Sequence, residues 1–269
     1  MTNIVVFTQK GGVGKTMVAA NLLASLNFNY PDLKLLAVDL DPQGHLTTIL
    51  HNEPSAINPE ESVYRLFKDN QYKGTDIIHS SRLEHVDIIP ASISLFEVGM
   101  NSNISSDKKI LRNFLTEVEN TYDFVLIDAP SALGTCSYNG LIAADYLLMP
   151  IELAPLCQRA IPDMVKTYET VKKENPNLKV LGILPNRVDK KLGYQNDILA
   201  TLKESEFKDY LLDEFSISND EIINKALTVG KTIFEMQEKS ASYTDFKKLT
   251  DWIFDKRIKT TGPFGPSIR

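Results

Sequence analysis

The chain is poor in cysteine and tryptophan, and it lacks long apolar runs. Its 269 residues include two cysteines, Cys136 and Cys157, and one tryptophan. Two isolated cysteines cannot build a disulfide framework or a CxxC zinc site, so we expect a reducing, cytoplasmic environment. No run of about 18 apolar residues occurs, so we expect no membrane-spanning segment and no membrane partner.

Positive charge is also scarce. The chain has 29 Lys and Arg against 35 Asp and Glu, which gives a formal net charge of −6. This balance excludes a protein coated in basic charge, but it allows a local basic patch, since nucleic-acid binding depends on where the positive charge lies. The 43% hydrophobic and 24% charged residues exclude global disorder.

Short apolar runs recur along the chain, with amphipathic stretches between them. The runs lie at residues 4–7, 35–38, 86–89, 124–127, 146–149 and 180–184. Such runs are typical of strands buried on both faces of a parallel sheet. The amphipathic stretches, at 110–118, 161–171 and 198–202, predict helices between them. The predicted fold class is therefore α/β, a doubly wound, mostly parallel sheet with helices on both faces.

The domain organisation is predicted to be simple. We expect one domain over residues 1–259, in which residues 52–61, with two prolines, form a surface loop. The last helix is predicted at about 242–258. Residues 260–269 contain glycine and proline and are expected to form a flexible C-terminal tail.

The most specific motif is a glycine-rich loop between the first predicted strand and an apolar helix. Its glycines let backbone N–H groups turn inward around a polyphosphate, and the helix N-terminus favours negative charge. Lys15 is expected to reach the β- and γ-phosphates, and the Thr16 hydroxyl to ligate Mg²⁺. A second lysine, Lys10, lies at the mouth of the loop, and Gln9 occupies a position that is usually glycine. The predicted nucleotide-binding residues of the loop are Gly11, Gly12, Val13, Gly14, Lys15 and Thr16.

Carboxylates follow two of the predicted strands. Asp39 and Asp41 end the second run, and Asp128 ends the run at 124–127. The carboxyl ends of strands in a doubly wound sheet face the crevice where ligands bind. Asp39 and Asp41 are two residues apart, so we expect them to have different roles. Asp128, at the tip of a buried strand, is predicted to hold a Mg²⁺-bound water.

These motifs together resemble the deviant Walker A group of P-loop ATPases, and specifically its ParA/Soj-type DNA partition proteins. Residues 10–16 read KGGVGKT, with the doubled lysines of that group. Residues 39–44 resemble the ParA switch I segment, residues 130–134 resemble switch II, and residues 230–235 (GKTIFE) resemble the ParA C-terminal block. The resemblance covers nearly the whole chain.

The resemblance implies roles for individual residues. Lys10 would be the signature lysine that contacts the nucleotide of the facing subunit in an ATP-sandwich dimer. Asp41 would orient the attacking water, so the predicted catalytic residues are Lys10, Lys15 and Asp41. Asp39 would help to hold the magnesium shell, so the predicted metal residues are Thr16, Asp39 and Asp128. Asn186 would read the adenine, since an amide both donates and accepts; the alternative is an ordinary turn asparagine.

The resemblance also implies a function: a slow, Mg²⁺-dependent, partner-stimulated ATPase that partitions plasmid or chromosomal DNA. Its partners would be a second copy of the chain, nonspecific DNA and a ParB-like centromere-binding protein, and it would lie at the nucleoid. Acids at 220–221 stand where relatives often carry arginines. The candidate DNA contacts, which could equally be solvated surface charges, are Arg187, Lys190, Lys191, Lys247 and Lys248, with Lys256, Arg257 and Lys259 beyond them.

Other functions remain open on the sequence alone. A MinD-like or cargo-positioning ATPase would act on a protein or membrane scaffold in place of DNA, although residues 260–269 lack the apolar stripe of a membrane-surface helix. Nitrogenase iron protein needs two cluster-ligating cysteines, and only Cys136 lies in a suitable region. A metabolic P-loop kinase or ligase is a third alternative, against which Lys10 counts.

Overall fold

The computed structural model describes residues 1–69, 71–155, 157–236 and 238–254, without the side chains of residues 56 and 157–160. The strands of this part are β1 (Thr2–Val6), β2 (Leu35–Asp39), β3 (His79–Ser80), β4 (Val86–Ile89), β5 (Phe124–Asp128), β6 (Tyr146–Glu152) and β7 (Lys179–Asn186). They form one seven-stranded sheet in the order β3-β4-β2-β5-β1-β6-β7. The predicted tail at 260–269 and the end of the predicted last helix lie outside the described residues.

The strand pairing confirms the predicted fold class. Five pairings are parallel, and β3 runs antiparallel to β4 at the edge of the sheet. All six apolar runs are strands. The two-residue strand β3 was not predicted, because it has no apolar run of its own.

Helices lie between the strands and after β7. They are α1 (Lys15–Asn29), α2 (His45–Leu50), α3 (Tyr64–Lys68), α4 (Ile110–Glu117), α5 (Thr135–Ala143), α6 (Cys157–Lys172), α7 (Gly193–Glu204), α8 (Glu221–Thr228) and α9 (Ala241–Trp252). The three predicted helices correspond to α4, α6 and α7. The predicted loop at 52–61 contains two short 3₁₀ turns, Pro54–Ala56 and Pro59–Glu61.

The sheet separates two hydrophobic cores. Successive side chains of a strand point to opposite faces, so Ile4 and Val6 of β1 enter one core and Val5 enters the other. Helices α1, α2, α8 and α9 pack on the first face, and α3 to α6 pack on the second. Because α1 is buried from Met17 to Leu26, the core holds in place the helix that the glycine-rich loop precedes. None of the described helices is long and apolar enough to cross a bilayer.

Candidate functional site

The glycine-rich loop lies at the carboxyl edge of the sheet, between β1 and α1. Gly12 and Gly14 have φ values of 80° and 86°, in the left-handed region that favours glycine. A Cβ at Gly14 would lie 2.6 Å from Nδ2 of Asn186, so only glycine fits there. The first N–H groups of α1 have no partner within the helix and are available to an anion. The loop therefore has the shape of a phosphate cradle.

Lys15 is the buried cation of this loop. Its side chain lines an open cleft of about 520 Å3, together with Thr16, Asp41 and Ser131. Burial lowers the pKa of Lys15, while the nearby carboxylates of Asp128 and Asp41 counteract that shift. A cation held here with little solvent interacts strongly with any phosphate that enters the cleft.

Asp128 is an unpartnered carboxylate at the centre of the site. It is 1% exposed, and neither of its oxygens accepts a hydrogen bond of normal geometry. Burial and the neighbouring Asp39 raise the pKa of Asp128 well above its usual range, opposed by the Thr16 hydroxyl and Lys15. An unpaired buried carboxylate is costly unless a cation joins it, and Mg²⁺ is commonly held by one or two carboxylates plus substrate phosphates. The residues present fit a magnesium site.

Asp39 has a different environment from Asp128. Its Oδ2 accepts hydrogen bonds from the backbone N–H and the hydroxyl of Thr47, both at 2.8 Å, and its Oδ1 accepts the N–H of Asp41 at 3.1 Å. Burial raises the pKa of Asp39 to about 6, and these hydrogen bonds limit the shift. Asp39 thus anchors the start of α2 and the backbone of Asp41. Its predicted part in the magnesium shell stays a prediction.

Thr47 is a site residue that sequence analysis missed. It is buried in α2, and its hydroxyl also accepts the N–H of Ala91 at 2.9 Å, after β4. A threonine within an apolar helix gives no signal of this role. Asp41, which Thr47 and Asp39 help to position, lines the cleft and accepts the N–H of Gln43 at 3.0 Å. The assignment of Asp41 to water orientation stays a prediction.

Lys10 differs from Lys15 in its position. Its side chain is partly buried and is not among the residues that line the cleft. Within the described part of the chain it forms no ion pair. The lysine at the mouth of the loop therefore remains available to a group outside its own cleft.

Asn186 and Arg187 both hold the glycine-rich loop. Asn186 is fully buried, and its Nδ2 donates to the carbonyl of Val13 at 2.7 Å. Its predicted contact with adenine stays a prediction. Arg187 was predicted at a DNA surface, but its Nη1 donates to the carbonyl of Gly12 at 2.9 Å and its side chain lines the cleft. Lys190, Lys191, Lys247 and Lys248 are exposed, and their DNA contacts stay predictions.

The GKTIFE block closes the cleft from the other side. Gly230 lines the cleft, and the N–H of Ile233 donates to Oδ1 of Asn21 in α1 at 2.8 Å. Arg82 donates from Nη2 to the carbonyls of Ile49 in α2 and Gly230, the latter at 2.7 Å. Arg82 thus joins α2 to the GKTIFE block, a link that no local sequence pattern indicates.

The doubly wound sheet, the glycine-rich loop and the carboxylates at its carboxyl edge define a P-loop nucleoside triphosphatase. The family model described as AAA domain (AAA_31) matches residues 1–180. Soj, the sporulation initiation inhibitor protein of Bacillus subtilis, is 32% identical over 204 residues, which cover 75% of this chain and 78% of Soj. The chromosome partitioning protein ParA of Myxococcus xanthus is 30% identical over 203 residues, which cover 74% of this chain and 70% of that protein.

A solved structure supports the fold along the whole chain. The crystal structure of cobyrinic acid a,c-diamide synthase from Mycobacterium smegmatis, with bound ADP and magnesium, has a TM-score of 0.79 and 25% identity, and the match covers 100% of both chains. That protein is a synthase, so the architecture alone does not specify partition. The family model and the two relatives show the family: this chain belongs to the ParA/MinD-type P-loop ATPases.

Proposed function

We propose that this protein is an ATP-dependent, dimerising ParA-type ATPase that partitions or positions plasmid or chromosomal DNA. ATP and Mg²⁺ close two subunits face to face, and the closed dimer binds nonspecific DNA. A ParB-like centromere-binding partner stimulates slow hydrolysis, and the dimer then releases the DNA. The ParA relative from Myxococcus xanthus is a chromosome partitioning protein.

The observation that carries the dimer proposal is the difference between the two lysines of the loop. Lys15 lines its own cleft, whereas Lys10 does not. A lysine is a flexible point charge that is well suited to a phosphate. Because Lys10 forms no ion pair within the described residues, its ammonium group is free to neutralise the nucleotide of a facing subunit.

The chemistry in each cleft follows from the side chains around it. Lys15 and the loop N–H groups bind the β- and γ-phosphates. Thr16 and Asp128 would hold Mg²⁺, which supplies neutralisation of charge on the phosphate oxygens. Asp41, held by its neighbours at the edge of the cleft, orients the attacking water. Positioning and electrostatic stabilisation account for most of such a reaction.

The acidic segment at 220–221 does not argue strongly against DNA binding. Asp220 caps α8: its carboxylate accepts the N–H of Ile222 at 3.3 Å and the hydroxyl of Ser242 at 3.0 Å. One of the two acids is therefore used to join α8 to α9. Lys247 and Lys248 lie exposed on α9, where they supply positive charge for phosphate contacts.

A gel-shift experiment with nonspecific duplex DNA tests the DNA proposal. The expected result is a shift with ATP and Mg²⁺ but not with ADP, weakening steeply with salt because phosphate contacts release counterions. The double variant Lys247→Ala/Lys248→Ala should weaken the shift, and Lys166→Ala/Lys173→Ala, which also removes two lysines but from the region of α6, should not. No ATP-dependent shift at low salt would contradict the DNA role and favour a protein or membrane scaffold.

A further inference from the structure

Two consecutive side chains at the end of β7 hold two consecutive carbonyls of the glycine-rich loop. Asn186 binds the carbonyl of Val13, and Arg187 binds the carbonyl of Gly12. The two contacts connect segments that are more than 170 residues apart in sequence. We call this arrangement the carbonyl clamp: the side chains of Asn186 and Arg187 on the carbonyls of Val13 and Gly12.

The clamp requires an unusual backbone at Arg187. Successive side chains of an extended strand point to opposite faces, so two neighbours cannot normally reach the same loop. Asn186 is the last residue of β7, and Arg187 has a φ of 56°. This left-handed conformation is uncommon and unfavourable for a residue other than glycine. With this conformation the side chain of Arg187 lies on the same side as the loop and forms its hydrogen bond to the Gly12 carbonyl.

The clamp determines where the loop N–H groups point. In a trans peptide the C=O of one residue and the N–H of the next point in opposite directions within one plane. Fixing the carbonyl of Gly12 therefore directs the N–H of Val13 away from Arg187. Fixing the carbonyl of Val13 directs the N–H of Gly14 away from Asn186. Both N–H groups belong to the loop predicted to bind phosphate, and such a loop works best when its dipoles are oriented before the anion arrives.

We propose that Arg187 is a positioning residue of the phosphate cradle: its hydrogen bond to the Gly12 carbonyl orients the loop N–H groups for a polyphosphate. The proposal rests on the proposed function, in that the loop must bind a nucleoside triphosphate. It assigns Arg187 a role at the loop that does not depend on the DNA contact predicted from sequence. The base and the ribose are not required for the effect.

Two substitutions separate the guanidinium from the backbone. Arg187→Ala removes the hydrogen bond and keeps an unfavourable φ, whereas Arg187→Gly removes the bond and relieves the backbone. Lys190→Ala is the matched control, because it removes one exposed positive charge three residues away without a contact to the loop. Melting of the nucleotide-free proteins shows that each variant is folded.

The measurement is the dissociation constant for ATP and for inorganic tripolyphosphate, each with Mg²⁺, followed by kcat and KM for ATP. We expect both Arg187 variants to weaken ATP and tripolyphosphate by about tenfold, the loss expected for a charged hydrogen bond. Lys190→Ala should stay within about twofold of the natural protein. In the Arg187 variants the KM for ATP should rise by a larger factor than kcat falls, because the lost contact acts on phosphate binding while Asp41 and Asp128 are untouched.

The other outcomes are equally decisive. If the Arg187 variants bind ATP as well as the natural protein does, the positioning role is wrong while the proposed function stands. If they lose affinity for ATP but not for tripolyphosphate, Arg187 acts on the nucleoside and the inference is overturned. If the natural protein itself binds neither ligand, the proposed nucleotide site fails first.

Discussion

Asp39 and Asp128 stand directly opposite each other, at paired positions of the neighbouring parallel strands β2 and β5. Both side chains are almost completely buried. Asp39 accepts three hydrogen bonds, whereas Asp128 accepts none of normal geometry. Two adjacent buried carboxylates disfavour ionisation of each other. The protein therefore maintains an unfavourable arrangement where a cation is needed, a common feature of functional sites.

The first prediction concerns the stability of the nucleotide-free protein. Asp128→Asn should raise the free energy of unfolding at pH 7.5 by about 1 kcal/mol, because it removes a carboxylate that burial disfavours. The same variant should lose ATPase activity. Urea unfolding with a chelator present, and phosphate release with Mg²⁺, measure the two effects.

The stability that Asp128→Asn gains should decrease as the pH falls. The folded protein raises the pKa of Asp128, so it holds this proton at pH values where the unfolded chain has lost it. Above the pKa of the unfolded chain, Asp128 therefore lowers the free energy of unfolding of the natural protein. This loss disappears as the pH falls toward about 4, where the unfolded chain also binds the proton. The advantage of Asp128→Asn should accordingly be large at pH 7.5 and small at pH 4.5. An advantage that grows toward low pH would contradict the assignment.

A second prediction separates ATP binding from hydrolysis. Asp41→Ala should keep nucleotide affinity and lose turnover, because Asp41 lies at the edge of the cleft while Lys15 and the loop hold the phosphates. ATP-bound dimers should then accumulate. Lys15→Ala, in contrast, should lose ATP binding. Normal turnover by Asp41→Ala would show that another group orients the water.

A third prediction concerns the link made by Arg82. Arg82→Ala removes the hydrogen bonds that Arg82 donates to the carbonyls of Ile49 and Gly230. It also removes an ion pair with Glu235 at 3.5 Å. We expect the free energy of unfolding to fall by about 2 kcal/mol, as for charged hydrogen bonds to partly buried groups. The control is Arg65→Ala, since Arg65 pairs with Glu60 away from the cleft and both side chains are more exposed than those of Arg82 and Glu235. A surface pair of this kind should contribute at most about 1 kcal/mol, so equal losses in the two variants would contradict the account.

The sequence predicts the parts of this protein that depend on local patterns. The apolar runs predicted the strands, because strands that are buried on both faces of a parallel sheet are short and continuously apolar. The glycine spacing gave the loop, because only glycine adopts the required backbone without strain. Fold class and the catalytic edge of the sheet followed from these two signals.

Contacts between distant segments could not be predicted. The role of Arg82 depends on two carbonyls that the fold brings together, and a carbonyl has no sequence signature. The DNA contact predicted for Arg187 rests on its charge alone and stays a prediction, whereas its left-handed backbone and its bond to Gly12 have no sequence signature. Asn186 shows the same limit: its residue type suggested contact with a base, which stays a prediction, whereas the bond of its Nδ2 to the loop could not be read from the sequence.

The most direct test of the account is the oligomeric state in the presence of nucleotide. Sedimentation velocity with a non-hydrolysable ATP analogue and Mg²⁺ should show a species of twice the chain mass, and ADP should not produce it. Lys10→Ala should still bind the analogue but sediment as a monomer, because it lacks the lysine that we propose to contact the nucleotide of the facing subunit. If the natural protein stays monomeric when saturated with the analogue, or if Lys10→Ala dimerises as well as the natural protein does, the proposed switch is contradicted.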